Sequence, residues 1–233
     1  MKMKKEDVLK AFAGGLIVSC QALPEEPLHS PFIMGRMALA AKLGGAVGIR
    51  ANSTADIREI ASQVDLPIIG IVKAVTPGCE VYITPTRCEV DALAQTGVAV
   101  IAMDATGRPR PDGLPLARSF PSMRAAYPDM LFMADCACLE DGLRAQDMGF
   151  DMVGTTLAGY TAATAGCPLP ALSLMGALVE KLSIPVVAEG GIHSPEDMAA
   201  AFDQGVHCCV VGGAITRPME ITRRFVDALP KKE

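Results

Sequence analysis

A chain of 233 residues with a formal charge of −5 lacks the basic excess that broad contact with a phosphate backbone demands, which argues against a nucleic-acid partner. Half of its residues are hydrophobic and 20% are charged, which excludes a disordered or fibrous chain. No uninterrupted apolar stretch approaches the roughly 18 residues of a spanning helix, so a soluble protein without a membrane partner is expected.

The first residues, "MKMKK" and then "IVSC", imitate a charged leader that ends at a lipoprotein-type cysteine, Cys20. Glu6, Asp7 and Lys10 fall where the apolar core of such a leader would run, so a cytoplasmic protein is expected. Eight short apolar runs then follow, at residues 15–21, 46–51, 67–73, 98–106, 131–136, 152–157, 185–191 and 208–214, each with the composition of a buried parallel strand. They recur at a spacing of roughly 20 to 33 residues, that of a strand plus a helix. Amphipathic segments lie between them. Residues 53–64 place Ile57, Ile60, Ala61 and Val64 at helical spacing behind a Ser53 or Thr54 cap. Residues 84–97 repeat the form and stop at Gly97, and residues 194–205 carry Ser194 as cap, Pro195 at the first helical position and Gly205 as terminator. Eight strand–helix units predict an α/β chain closed into a (β/α)₈ TIM barrel, one domain over residues 1–233. The rival, an open doubly wound sheet, would place a glycine-rich turn after its first strand, where this chain reads "SCQALP". The eight cysteines read as reduced thiols. "CAC" and "HCC" fall at opposite ends of the predicted sheet and neither has zinc-ligand spacing, so no metal is expected.

In such a barrel the chemistry belongs at the C-terminal strand ends. Polar residues gather there: Gln21, Arg50, Lys73, Asp104, Asp135, Thr155 and Thr156, and Glu189. The opposite ends carry hardly a charge. Asp104, followed by "ATGRPRPDG", is read as holding its own solvated loop and is left outside the site. Gln21, Arg50, Asp135 and Thr156 are candidate substrate contacts, with local hydrogen bonding as the alternative for each. Strands seven and eight run into the glycine pairs Gly190–Gly191 and Gly212–Gly213, where a bare backbone approaches an anion closely and helix starts favour it. Arg217 adds a guanidinium fork suited to phosphate. Strands three and seven are diametrically opposed, so Lys73 and Glu189 face each other across the mouth, either as a proton-transfer pair or as a plain salt bridge. Inverting a carbon beside a carbonyl requires a proton to leave one face and return to the other, which opposed groups satisfy. Lys73 acts as a base near neutral pH only if burial or a neighbour such as Arg50 disfavours its ammonium form. The two titrations are coupled, and the sequence does not assign the roles.

The segments "GLIVSCQALPEEPL", "GGAVGIRANS", "LPIIGIVK", "VYITPT", "ADCACLEDGLRAQDMGFDMVGTTLAGYT", "VVAEGGIHSPEDM" and "VVGGAITRPMEITRRF" resemble the N-acetylmannosamine-6-phosphate 2-epimerases of bacterial sialic-acid catabolism. The resemblance spans nearly the whole chain. It implies a cofactor-independent interconversion of N-acetylmannosamine 6-phosphate and N-acetylglucosamine 6-phosphate. It assigns Lys73 and Glu189 to proton transfer at carbon 2, Gln21, Arg50 and Asp135 to the sugar and amide, and the two glycine pairs with Arg217 to the phosphate. It also implies a homodimer, and residues 219–229 carry an Ile221, Phe225 and Leu229 face that packs on its own barrel or on a neighbour. One departure is that "KAVTPG" stands where the family pattern follows the lysine with an arginine, which leaves the local shape and the charge around Lys73 open. The proton on carbon 2 is not acidic in the closed ring, so either the ring opens or the substrate's own hydroxyls assist. Two other readings use the same barrel: an aldolase whose lysine forms a Schiff base, and a sensor that binds a phosphorylated metabolite without turnover.

Overall fold

The computed structural model describes residues 3–230. The eight apolar runs become β1 (Leu16–Cys20), β2 (Gly48–Asn52), β3 (Ile68–Ile71), β4 (Val100–Asp104), β5 (Leu131–Asp135), β6 (Met152–Gly154), β7 (Val186–Glu189) and β8 (Cys208–Val211). Each pairs in parallel with the next, and β8 closes onto β1 with Val211 opposite Val18, giving the expected closed barrel. β3 and β7 are four strands apart on the ring, hence opposite one another.

The helices are α1 (Lys5–Phe12), α2 (Pro31–Leu43), α3 (Thr54–Gln63), α4 (Arg87–Ala94), α5 (Leu116–Ala126), α6 (Leu139–Met148), α7 (Leu172–Lys181), α8 (Pro195–Asp203) and α9 (Pro218–Asp227). Ser53 caps α3, its hydroxyl accepting from Asp56 N at 3.1 Å. Ser194 caps α8, and the Asp197 carboxylate returns a bond to Ser194 N at 3.0 Å, so two otherwise orphaned donors are satisfied. α4 starts later than the residue 84 expected. Pro85 disfavours helical backbone at Thr84, whose N–H instead donates to Val72 O at 2.7 Å, and Thr86 becomes the cap.

Strand alternation sorts the apolar residues into two cores. Ile17, Ile69, Val100, Leu131, Met133, Val187 and Val210 point into the barrel, where Val8 and Phe12 of α1 join them. Val18, Ile49, Ile101 and Phe132 point outward against Ile57, Ile60, Leu93, Phe120 and Leu178 of the helices. α1 thus supplies a floor at the N-terminal end, and the cavity described below opens at the other.

Asp104 does hold its own loop: Oδ1 accepts from Thr106 N and Oγ1, and Oδ2 from Arg108 at 2.6 Å. That loop is less solvated than its composition suggests. Arg110 is buried because its guanidinium donates to Pro85 O at 2.9 Å and Asp104 O at 2.8 Å, which outweighs its preference for water. All eight cysteines are free, with Cys20, Cys136, Cys208 and Cys209 buried. Among the described residues no helix is long and apolar enough to cross a membrane.

Candidate active site

A cavity of about 320 Å³ sits at the C-terminal end of the strands. Gln21, Arg50, Lys73, Thr156, Glu189, Gly190, Gly191, Gly212, Gly213 and Arg217 all line it. Asp135 does not. It is fully buried beneath, and it reaches the cavity through the side chains that it holds.

Those side chains form one network. Arg50 lies two residues before the end of β2 rather than at its tip, and its length carries the guanidinium to the barrel centre. Nη1 and Nη2 donate to Asp135 Oδ1 and Oδ2 at 3.0 and 2.6 Å, the bidentate geometry that fixes a planar fork, and Nη1 also donates to Glu189 Oε2 at 2.8 Å. The Thr156 hydroxyl lies 2.7 Å from Asp135 Oδ1 and 3.1 Å from Glu189 Oε2, two acceptors for a single proton. Thr155 fixes the backbone of Glu189 from both sides, donating to its carbonyl at 2.9 Å and accepting from its N–H at 3.0 Å. Gln21 Nε2 donates to Ser19 Oγ at 2.8 Å.

Lys73 follows β3, with its N–H bonded to Asn52 Oδ1 at 2.8 Å. The chain leaves at Ala74 and returns at Tyr82, whose carbonyl accepts from Ala74 N at 2.9 Å, so Lys73 and Ile83 pair as an antiparallel bridge. This excursion brings Tyr82 and Ile83 into the cavity wall. Among the described residues the Lys73 ammonium has no carboxylate within 4.0 Å; the cation on Glu189 is Arg50. The plain salt bridge between Lys73 and Glu189 is therefore not formed.

Burial, then the charges of Arg217 and Arg50, push the Lys73 ammonium down to about 8. Positive potential comes from Arg50 on β2 and Arg217 at the start of α9, so an arginine directly after the lysine is not required for it. Burial pushes the Glu189 carboxyl up to about 7, with Asp135 adding to the shift and Arg50 opposing it. For Arg50, burial works against the charge, but Asp135 and Glu189 outweigh it and the guanidinium is held ionised.

Gly190 and Gly191 have φ of +101° and +72°, a region that side-chain-bearing residues avoid, and a β-carbon on Gly191 would lie 2.4 Å from Leu169 Cβ. Among the described residues, none of the N–H groups of Gly190, Gly191, Gly212 and Gly213 donates to a protein acceptor. Unpaired backbone donors of this kind can cradle an anion. Arg217 is already engaged, by Glu220 Oε1 at 2.7 Å and Glu26 Oε1 at 3.4 Å.

Ser19, Tyr82, Tyr160 and Glu220 also line the cavity and were not among the residues singled out from sequence. Ser19 was accessible to the strand period, since it shares the inward face with Ile17 and Gln21. Tyr82 had no such signal, because its position depends on the non-local return of residues 74–83.

The family model described as "Putative N-acetylmannosamine-6-phosphate epimerase" matches residues 34–231. Proteins described as "Putative N-acetylmannosamine-6-phosphate 2-epimerase" are similar throughout. That of Enterobacter sp. (strain 638) is 55% identical over 224 residues, covering 95% of each chain. That of Lactiplantibacillus plantarum is 52% identical over 227 residues, covering 97% of this chain and 100% of its own. The solved structure of the N-acetylmannosamine-6-phosphate 2-epimerase from Clostridium perfringens superposes with a TM-score of 0.91 at 49% identity, covering 95% of this chain and 96% of that one. A thiamine phosphate pyrophosphorylase from Pyrococcus furiosus, 19% identical with a TM-score of 0.60, shares the fold alone. By sequence over nearly its whole length and by backbone shape, the chain belongs to the N-acetylmannosamine-6-phosphate epimerase family.

Proposed function

We propose that this protein interconverts N-acetylmannosamine 6-phosphate and N-acetylglucosamine 6-phosphate by moving the proton on carbon 2, without a cofactor. One observation carries the reading: two proton-transfer groups on opposed strands, Lys73 near 8 and Glu189 near 7, share one cavity and are not consumed by pairing with each other. Groups titrating this close to neutrality exchange protons in either direction at low cost. In one direction one of them takes the proton and the other returns it to the opposite face; in the reverse direction the roles swap. Arg50, clamped by Asp135, orients the Glu189 carboxylate and leaves Oε1 for the substrate side. Gln21 and Thr156 lie within reach of the sugar, and the unpaired glycine N–H groups with Arg217 take the 6-phosphate.

In this reading the enzyme works in the cytosol, an assignment supported by its eight free thiols. It works as a homodimer, supported by α9, which has no buried residue and carries Phe225 and Val226 at 75% and 55% exposed, with Leu229 just beyond its end 64% exposed.

The test is proton NMR of the purified protein with N-acetylmannosamine 6-phosphate in heavy water. The expected result is N-acetylglucosamine 6-phosphate carrying deuterium at carbon 2. Absence of product would overturn the reading. Borohydride added during turnover separates the aldolase alternative, since a lysine acting only as acid and base is not trapped as a covalent adduct.

A further inference from the structure

Arg217 and Glu220 stand three residues apart at the start of α9 and both line the cavity. Glu26, the second carboxylate on Arg217, is fixed: its Oε2 accepts the Leu23 N–H at 2.6 Å and its side chain is only 14% exposed. Glu220 is held differently. Its side chain is 37% exposed, and it sits in the first turn of a helix that buries none of its residues. While Oε1 binds Arg217, Oε2 lies on the Cα side of Gly213, 2.6 Å from where a β-carbon there would stand, without accepting its N–H. A carboxylate thus stands at once beside Gly213 and on the arginine next to it. Counting Arg217, and Arg224 whose Nη2 donates to Gly213 O at 2.9 Å, against Glu26 and Glu220, this corner of the cavity carries no net charge.

We infer that Glu220 is a displaceable internal anion that guards the cradle: an incoming ligand binds there only by taking Arg217 and the Gly213 side away from the Glu220 carboxylate. The inference rests on the phosphate assignment made above and adds to it a residue that sets which anions are accepted. A phosphate monoester carries close to two negative charges at neutral pH, so exchanging a single carboxylate charge for it strengthens the attraction to Arg217 and Lys73. A singly charged ligand gains nothing by the same exchange. Glu220 therefore discriminates against monoanions, and its half-exposed position on the rim lets it swing into solvent at little cost. If Glu220 served only to favour the N-terminus of α9, its loss would destabilise the helix without changing anion selectivity.

The experiment compares wild type, Glu220→Gln, Glu220→Ala and Arg217→Ala as full chains, with thermal melts to establish folding. The readouts are KM for N-acetylmannosamine 6-phosphate and the inhibition constant of inorganic phosphate, below and above the second ionisation of phosphate. The alanine variant is included because glutamine still presents a carbonyl to Arg217. Both Glu220 variants are expected to lower KM and the inhibition constant by about threefold to fivefold, the size of one half-exposed ion pair. The gain should be larger below the phosphate ionisation, so that preference for the dianion shrinks, while Arg217→Ala raises both constants. Unchanged or higher constants in both Glu220 variants, with Arg217→Ala still weakening binding, overturn the inference and leave the phosphate assignment standing. Arg217→Ala without effect on either constant overturns the phosphate assignment, and the inference with it.

Discussion

At the scale of single residues, the site is built from groups held in their less comfortable ionisation states. Glu189 titrates near 7 and Lys73 near 8, so kcat/KM should be bell-shaped, with an acid limb near 7, a basic limb near 8 and a maximum between them. Whichever group removes the proton, the shape is the same, because the two protonation patterns share one net charge. Glu189→Gln should erase the acid limb and lower kcat by about 10² to 10⁴, measured by the NMR assay across pH. The same substitution should stabilise the fold. A carboxyl raised from 4.5 to about 7 in the folded protein supports folding below 4.5, and that support is lost as pH rises through 7. Above that pH the neutral glutamine should therefore be more stable by about 1–3 kcal/mol in urea melts, with the gap closing in acid.

At the scale of elements, the strand windows and the α3 and α8 caps were legible in the sequence because they depend on residues at most four positions apart. Ser194, Pro195 and Asp197 start α8 through bonds within one turn. α4 shows where that legibility stopped: "TPT" reads as a helix start, yet Thr84 is tied to Val72, twelve residues back. α1 had no sequence assignment, and it proves to be the barrel floor, with Phe12 wholly buried among inward-facing residues of several strands. Phe12→Ala should cost about 3–5 kcal/mol by leaving a void on the barrel axis, read as a lower urea midpoint with unchanged slope. Because the floor lies at the end opposite the cavity, KM should hold at temperatures where the variant remains folded.

At the scale of the whole molecule, α9 is the element that the barrel does not cover. Phe225 and Val226 stand exposed on it, with Leu229 exposed just beyond its end, and light scattering is expected to give twice the 24.4 kDa chain mass. Phe225→Glu combined with Leu229→Glu should shift the mass to that of one chain; an unchanged mass would place the dimer contact elsewhere. The sequence by itself determined the fold class, since eight apolar runs at strand-plus-helix spacing close in one way. It also determined the end at which the cavity opens, since polar residues collect at one end of those runs. Tertiary structure alone decided the partners. Arg50 and Glu189 are 139 residues apart, and only barrel closure sets the guanidinium on Glu189 and Asp135 instead of leaving Glu189 to Lys73. Closure also put Asp135 beneath the cavity rather than in its wall, brought Tyr82 back to the mouth and laid Glu220 against Gly213. Periodicity and capping are properties of neighbours along the chain, whereas ionisation and pairing depend on distances through space, which only the closed barrel fixes.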